Sequence, residues 1–163
     1  MIRKLPLPLI VLWLFAACTL PNSPNESYAC PVTTPEQQTA KLPTTTNYEN
    51  RFWYGTPELW TSLPNDGIWW GLPKDKDGYV QKTVFWREGY VAREELTPAL
   101  TVSGRRMDAP AQTFSFSDAT HGWDESGDFM LMGISIPAEG CWEITATYQD
   151  VSLTYVVEVV EER

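Results

Sequence analysis

The stretch Gly140-Cys141-Trp142-Glu143-Ile144-Thr145-Ala146-Thr147-Tyr148-Gln149-Asp150-Val151-Ser152-Leu153-Thr154-Tyr155-Val156-Val157-Glu158-Val159-Val160 decides the fold class. Trp142, Ile144, Ala146 and Tyr148 alternate with Glu143, Thr145 and Thr147, and after Gln149-Asp150 the alternation resumes with Leu153, Tyr155, Val157 and Val159. Successive side chains of a strand point to opposite faces, so a period of two rich in β-branched and aromatic residues, split by a polar turn, predicts a β-hairpin. Trp142 opens the clearest strand and is expected in the core. Val151, Val156 and Val160 interrupt the polar face, which is therefore expected to be partly covered.

Working back from the hairpin, further strands are expected at residues 67–72, 79–87, 99–105, 112–116 and 129–136. Turn signals separate them: Asn65-Asp66-Gly67, Asp75-Lys76-Asp77-Gly78, Met107-Asp108-Ala109-Pro110 and Pro137-Ala138-Glu139-Gly140. A short helix fits around residues 93–96. Many short strands with turns between them predict an all-β sandwich or barrel rather than a βαβ fold.

The segment Pro137-Ala138-Glu139-Gly140-Cys141-Trp142-Glu143-Ile144-Thr145-Ala146 resembles the late strands of bacterial Ig-like domains, which place Gly, one residue and an aromatic at the strand entry. That resemblance covers about the last 25 residues and implies a single Ig-like β-sandwich. With Ser103-Gly104-Arg105-Arg106 added, the whole chain resembles uncharacterised lipoproteins of environmental bacteria, a group that brings no activity with it.

At the other end, Arg3 and Lys4 precede an apolar run of 13 residues, Leu5 to Ala17. A membrane-spanning helix needs about 20 apolar residues, so the run reads as the core of a secretory signal peptide. Phe15-Ala16-Ala17-Cys18 resembles the lipobox of bacterial lipoproteins, with Phe15 where the family usually has Leu. The resemblance implies cleavage before Cys18, a lipid on its thiol, and an extracytoplasmic protein anchored to a bacterial membrane. The alternative is ordinary cleavage after Ser27-Tyr28-Ala29, which would leave Cys30 first. The expected organisation is a signal peptide over 1–17, a Pro-, Thr-, Asn- and Ser-rich disordered tether over 18–50, and a β-sandwich over 51–163. The tether has too few apolar side chains to order itself by burial.

Two of the 12 Lys and Arg, and none of the 21 Asp and Glu, lie before Cys18, so the mature chain keeps ten basic against 21 acidic residues, a net charge of −11. That balance repels phosphate backbones and argues against nucleic acid as a partner. Cys30 and Cys141 remain after Cys18 is assigned to the anchor. In an oxidising compartment two cysteines usually pair, and closing a loop of about 110 residues corresponds to about 4–5 kcal/mol in the chain-entropy model. Two unrelated thiols are the alternative.

Catalytic signals are sparse. His121, the one histidine, lies in a polar stretch with Asp118, Asp124, Glu125 and Asp128, and is expected in a solvated loop over 117–128. A hydrolase would need a nucleophile beside it, and Ser115, Ser117 and Ser126 are close in sequence but not in a nucleophile-elbow pattern. Asp75-x-Asp77-Gly78 departs from the EF-hand pattern, with Pro73 and Val84 where carboxylates belong, and a hairpin turn accounts for it. Zinc is weaker still, with one histidine and two cysteines expected to be oxidised. No metal or cofactor is expected, and no pair of carboxylates is marked out for glycoside hydrolysis.

Aromatic content stands out instead. Trp53, Trp69, Trp70, Phe85 and Trp86 lie in the clusters Phe52-Trp53-Tyr54, Trp69-Trp70 and Phe85-Trp86. If these are strands, one ring of each adjacent pair faces away from the core, or a loop covers it. Outward rings would give a contact surface for an envelope protein or a glycan. The expected function is therefore a non-catalytic binding or structural module of the cell envelope, with a small hydrolase using His121 as the alternative.

Overall fold

A computed structural model describes residues 28–43, 48–110 and 112–161. Ten strands form two five-stranded sheets packed face to face: β1 (Arg51–Thr56), β2 (Leu59–Pro64), β3 (Ile68–Trp70), β4 (Tyr79–Trp86), β5 (Leu100–Arg106), β6 (Thr113–Phe116), β7 (Thr120–Asp124), β8 (Gly127–Ile136), β9 (Gly140–Tyr148) and β10 (Val151–Val160). One sheet runs β1-β2-β4-β8-β7 and the other β3-β10-β9-β5-β6. All pairings are antiparallel except that of β3 with β10. This is an Ig-like order: β2-β4-β8-β7 faces β10-β9-β5 as the A-B-E-D sheet faces G-F-C. The hairpin strand β1 extends the first sheet beyond that pattern.

The β9–β10 hairpin has the expected register, with Trp142 opposite Val157, Ile144 opposite Tyr155 and Ala146 opposite Leu153. These residues are buried. They meet Phe85, Met130, Met132, Ile134 and Ile136 from the other sheet to form one core. Trp142 also donates its indole N–H to the Ala138 carbonyl at 3.0 Å, which satisfies its polar atom.

Three expectations need correction. Residues 117–128 are not one solvated loop: Thr120–Asp124 pair with β8, and Gly122 lies under the Phe129 ring, where a Cβ would come within 2.3 Å of the ring. The helix expected at 93–96 is replaced by turns. Most of all, the segment expected to stay disordered up to residue 50 is ordered over residues 28–43.

The last correction has a structural reason. β10 pairs with β3 only at residues 158–160, which leaves the edge of its first half open. Thr33 fills it: its N–H donates to the Val156 carbonyl at 2.9 Å, and its hydroxyl accepts from the Val156 N–H at 2.8 Å. After a single 3₁₀ turn at Pro35–Gln37, the Gln38 side chain reaches β1, accepting from the Gly55 N–H at 2.8 Å and donating to the Gly55 carbonyl at 3.0 Å. A disulfide joins Cys30 to Cys141 at the entry of β9, with the Cα atoms 5.4 Å apart. Val32 packs on Gly67, whose φ of 68° and lack of a Cβ let the chain turn from β2 into β3 beneath it. The segment thus clasps the open edges of both sheets. Backbone pairing and a covalent link order it where apolar burial would not.

Candidate functional site: a cavity between two splayed strands

β2 and β4 are hydrogen-bonded neighbours for only two register pairs, Trp60 with Trp86 and Thr61 with Phe85. The Thr61 hydroxyl donates to the Val84 carbonyl at 2.8 Å and makes the last link. Beyond it β2 ends at Pro64, and the chain turns at Asn65–Gly67 to enter the opposite sheet as β3. The strands therefore part. The gap between them is a cavity of about 300 Å³.

Its walls come from both parting strands, with Ser62 on one side and Gln81, Thr83 and Val84 on the other. Trp69 of β3 and Tyr155 of β10 also line it, so the cavity reaches through the first sheet to the second. Trp86 and Phe129 bound it on the outer face of the first sheet, where their rings lie 5.8 Å apart. Tyr48 crosses that face and donates its hydroxyl to Asp124 at 2.9 Å, bridging the β1 side of the sheet to β7. Asp124 accepts the Ser126 N–H through its other oxygen, at 2.7 Å.

The polar chemistry of the cavity is lopsided. Arg51 donates through Nε to the Ser62 hydroxyl at 2.8 Å and through Nη2 to the Ser62 carbonyl, both neutral acceptors. No carboxylate among the described residues pairs with it or with Lys82, which also lines the cavity. Burial lowers the affinity of the Arg51 guanidinium for its proton, and the Tyr155 and Tyr48 hydroxyls partly offset this. Three further cavity residues, Trp69, Trp86 and Tyr155, are only 4, 4 and 2 % exposed, yet Trp69 Nε1, Trp86 Nε1 and the Tyr155 hydroxyl have no hydrogen-bond partner within the described protein. Trp60 Nε1 shares that condition outside the cavity. Burial pushes the Tyr155 hydroxyl well above the ordinary tyrosine range, so it stays protonated at any physiological pH.

No protein-family model, curated protein or solved structure matches the chain.

Of the five aromatic candidates, Trp69 and Trp86 line the cavity, and Trp53 stands edge-on against Trp86 at 4.8 Å. Phe85 is in the core. Trp70 alone of the five is largely exposed, on β3 of the other sheet, with its indole N–H 3.4 Å from Asp66. The expected surface of outward rings is thus not formed. Strand alternation does send Trp86 to the outer face, but Trp53 and Phe129 cover it there. Arg51, Ser62, Gln81, Lys82, Thr83 and Tyr155 were not singled out by sequence. The one available signal was a lone arginine opening an aromatic run in an acidic chain.

His121 lies on β7 with Nδ1 2.8 Å from the Leu96 carbonyl, and Ser126 is bonded to Tyr48 rather than to the imidazole. Asp75 accepts the N–H groups of Asp77 and Gly78 at 2.8 and 3.0 Å, the bonding of a tight turn. Among the described residues no group of three His, Cys, Asp or Glu is placed to hold a metal, and no helix is long and apolar enough to cross a membrane. Cys18 lies outside the described residues.

Proposed function

We propose that this protein is a non-catalytic binding module of the bacterial cell envelope, held to a membrane by a lipid on Cys18, whose ligand occupies the cavity between β2 and β4. One observation carries the reading. Three nearly buried side chains that line one cavity keep a hydrogen-bonding atom without a partner among the described residues. An unsatisfied buried polar group costs about 1–3 kcal/mol, so a cavity that gathers several is best explained by a guest that bonds to them. Small-molecule sites are concave, mostly apolar and furnished with a few convergent polar groups, and at about 300 Å³ this cavity is at the lower end of their usual size.

The test is a titration of the detergent-solubilised full-length protein against a panel of small envelope glycans and metabolites, read by tryptophan fluorescence. Trp69 and Trp86 line the cavity, so a bound ligand is expected to change their emission. A panel that leaves both emission and melting temperature unchanged would overturn the cavity reading. The anchor is tested separately: the intact mass should show acyl chains on Cys18, and an unmodified N-terminus at Cys30 would refute it.

A further inference from the structure

We infer that the cavity takes a sugar acid: a single saccharide ring that places hydroxyls against the Trp69–Tyr155 end and a carboxylate between Arg51 and Lys82. The inference rests on the reading of the cavity as a binding site and adds the class of ligand.

The donor inventory carries it. An indole N–H and a guanidinium can only donate, an ammonium likewise, and a tyrosine hydroxyl can do so. The hydroxyls of Thr61 and Thr83 are already donating to the carbonyls of Val84 and Met132, so they offer lone pairs but no free proton. Apart from those lone pairs, Gln81 and Asp124, the cavity offers protons. Asp124 is bonded at both oxygens, to Tyr48 and to Ser126. The complementary guest accepts hydrogen bonds.

The positions of the donors refine the class. Arg51 and Lys82 belong to the first sheet, whereas Trp69 and Tyr155 belong to the second. A naked oxyanion could meet one group and would leave the other bare. An aromatic acid would bond at its carboxylate and present an edge without acceptors to the Trp69–Tyr155 end. A saccharide ring carries acceptors around its whole rim, and its C–H face suits the Trp86 and Phe129 rings that flank the cavity. The carboxylate follows from the cations: among the described residues Arg51 and Lys82 have no acidic partner, in a chain whose net charge is −9. The net charge of the chain repels anions at long range, so a small, singly charged ligand is favoured over an acidic polymer.

The experiment compares D-glucuronate and D-galacturonate with glucose, galactose and sulfate, by tryptophan fluorescence on the full-length protein in detergent. The acids are expected to bind at least tenfold more tightly than the neutral sugars and than sulfate. Lys82→Gln, a change at an exposed side chain, should erase most of the advantage over the neutral sugars, and added salt should weaken the acids alone. Neutral sugars binding as tightly as the acids would overturn the carboxylate assignment while leaving the cavity a binding site. Sulfate matching the acids would overturn the saccharide assignment. If no sugar or anion binds, the sugar-acid class is wrong, and the wider panel described above decides separately whether the cavity binds anything.

Discussion

Thr33 and Val156 stand 123 residues apart in sequence and exchange two hydrogen bonds, one through the Thr33 N–H and one through its hydroxyl. The hydroxyl takes the role a backbone carbonyl would play in a strand, so the Val156 N–H on the open edge of β10 is satisfied by a side chain. Thr33→Val keeps the shape and removes the acceptor. It should cost about 1 kcal/mol, because it strands a partly buried N–H. Urea unfolding checks this, and an unchanged midpoint would mean that water replaces the hydroxyl without loss.

The disulfide fixes the same segment from its other end. With Cys30 and Cys141 both changed to Ser, unfolding stability should fall by about 2–5 kcal/mol, the usual range for a native bridge in a small domain. The loss should be local as well as global. Amide exchange at Val156, bonded to Thr33, is expected to accelerate more than exchange at Ile144 in the centre of the core hairpin. Equal acceleration at both sites would mean that the clasp has no independent opening.

These two relationships show where sequence reading succeeds and where it stops. The β9–β10 hairpin was legible because one face of each strand meets the core, so burial copies the alternation. β2 was not, because Leu59 through Leu63 are all buried: Leu59 and Leu63 face the core, while Trp60 stands opposite Trp86 and Ser62 is bonded to Arg51. β7 is a polar edge strand with one neighbour, and its residues carry no apolar period at all. Apart from the Cys30–Cys141 bridge, the clasp escaped because its order comes from hydrogen bonds to distant edges, which composition does not record. The cavity escaped for a related reason. Its residues come from seven strands, and that Trp69, Trp86 and Tyr155 find no hydrogen-bond partner among the described residues is visible only once those strands are assembled.

The Phe85-Trp86 and Trp69-Trp70 pairs separate core from surface. Trp86 is 4 % exposed and packed against the Trp53 and Phe129 rings, so Trp86→Ala should destabilise by about 3–5 kcal/mol. Trp70 is 56 % exposed, and Trp70→Ala should lie within about 0.5 kcal/mol of wild type. Thermal melts of the two variants decide. A large loss for Trp70→Ala would reveal a packing role that its exposure does not suggest.

Asp108 gives a pH dependence of definite sign. Burial opposes its ionisation, but bonds from Arg106, 2.8 Å away, and from the Cys141 backbone outweigh burial and hold its carboxyl below the ordinary value of 3.8. A depressed carboxylate adds stability that is present above the unfolded value and disappears as pH falls through the folded one. Asp108→Asn should therefore be less stable than wild type at neutral pH, by about 1 kcal/mol for a pair this close to the surface. The gap should close as pH falls below 3.8. A gap that persists in acid would assign the loss to packing rather than to charge.

Tyr155 provides the sharpest test of the cavity, because stability and binding should move in opposite directions. Its ring is core, packed edge-on to Trp69 at 6.4 Å, and its hydroxyl has no partner among the described residues. Tyr155→Phe leaves the ring and removes only the orphaned group. For a hydroxyl with a structural partner such a change costs about 1 kcal/mol, whereas removing a buried hydroxyl that lacks one is neutral or stabilising. The variant should therefore melt at or above the wild-type temperature. If the cavity holds a ligand bonded to that hydroxyl, affinity should drop by about tenfold, the equivalent of one hydrogen bond of about 1.4 kcal/mol. Melting and titration of the same preparation settle the matter together. A variant that melts lower with affinity unchanged would make the hydroxyl a structural group and remove Tyr155 from the site.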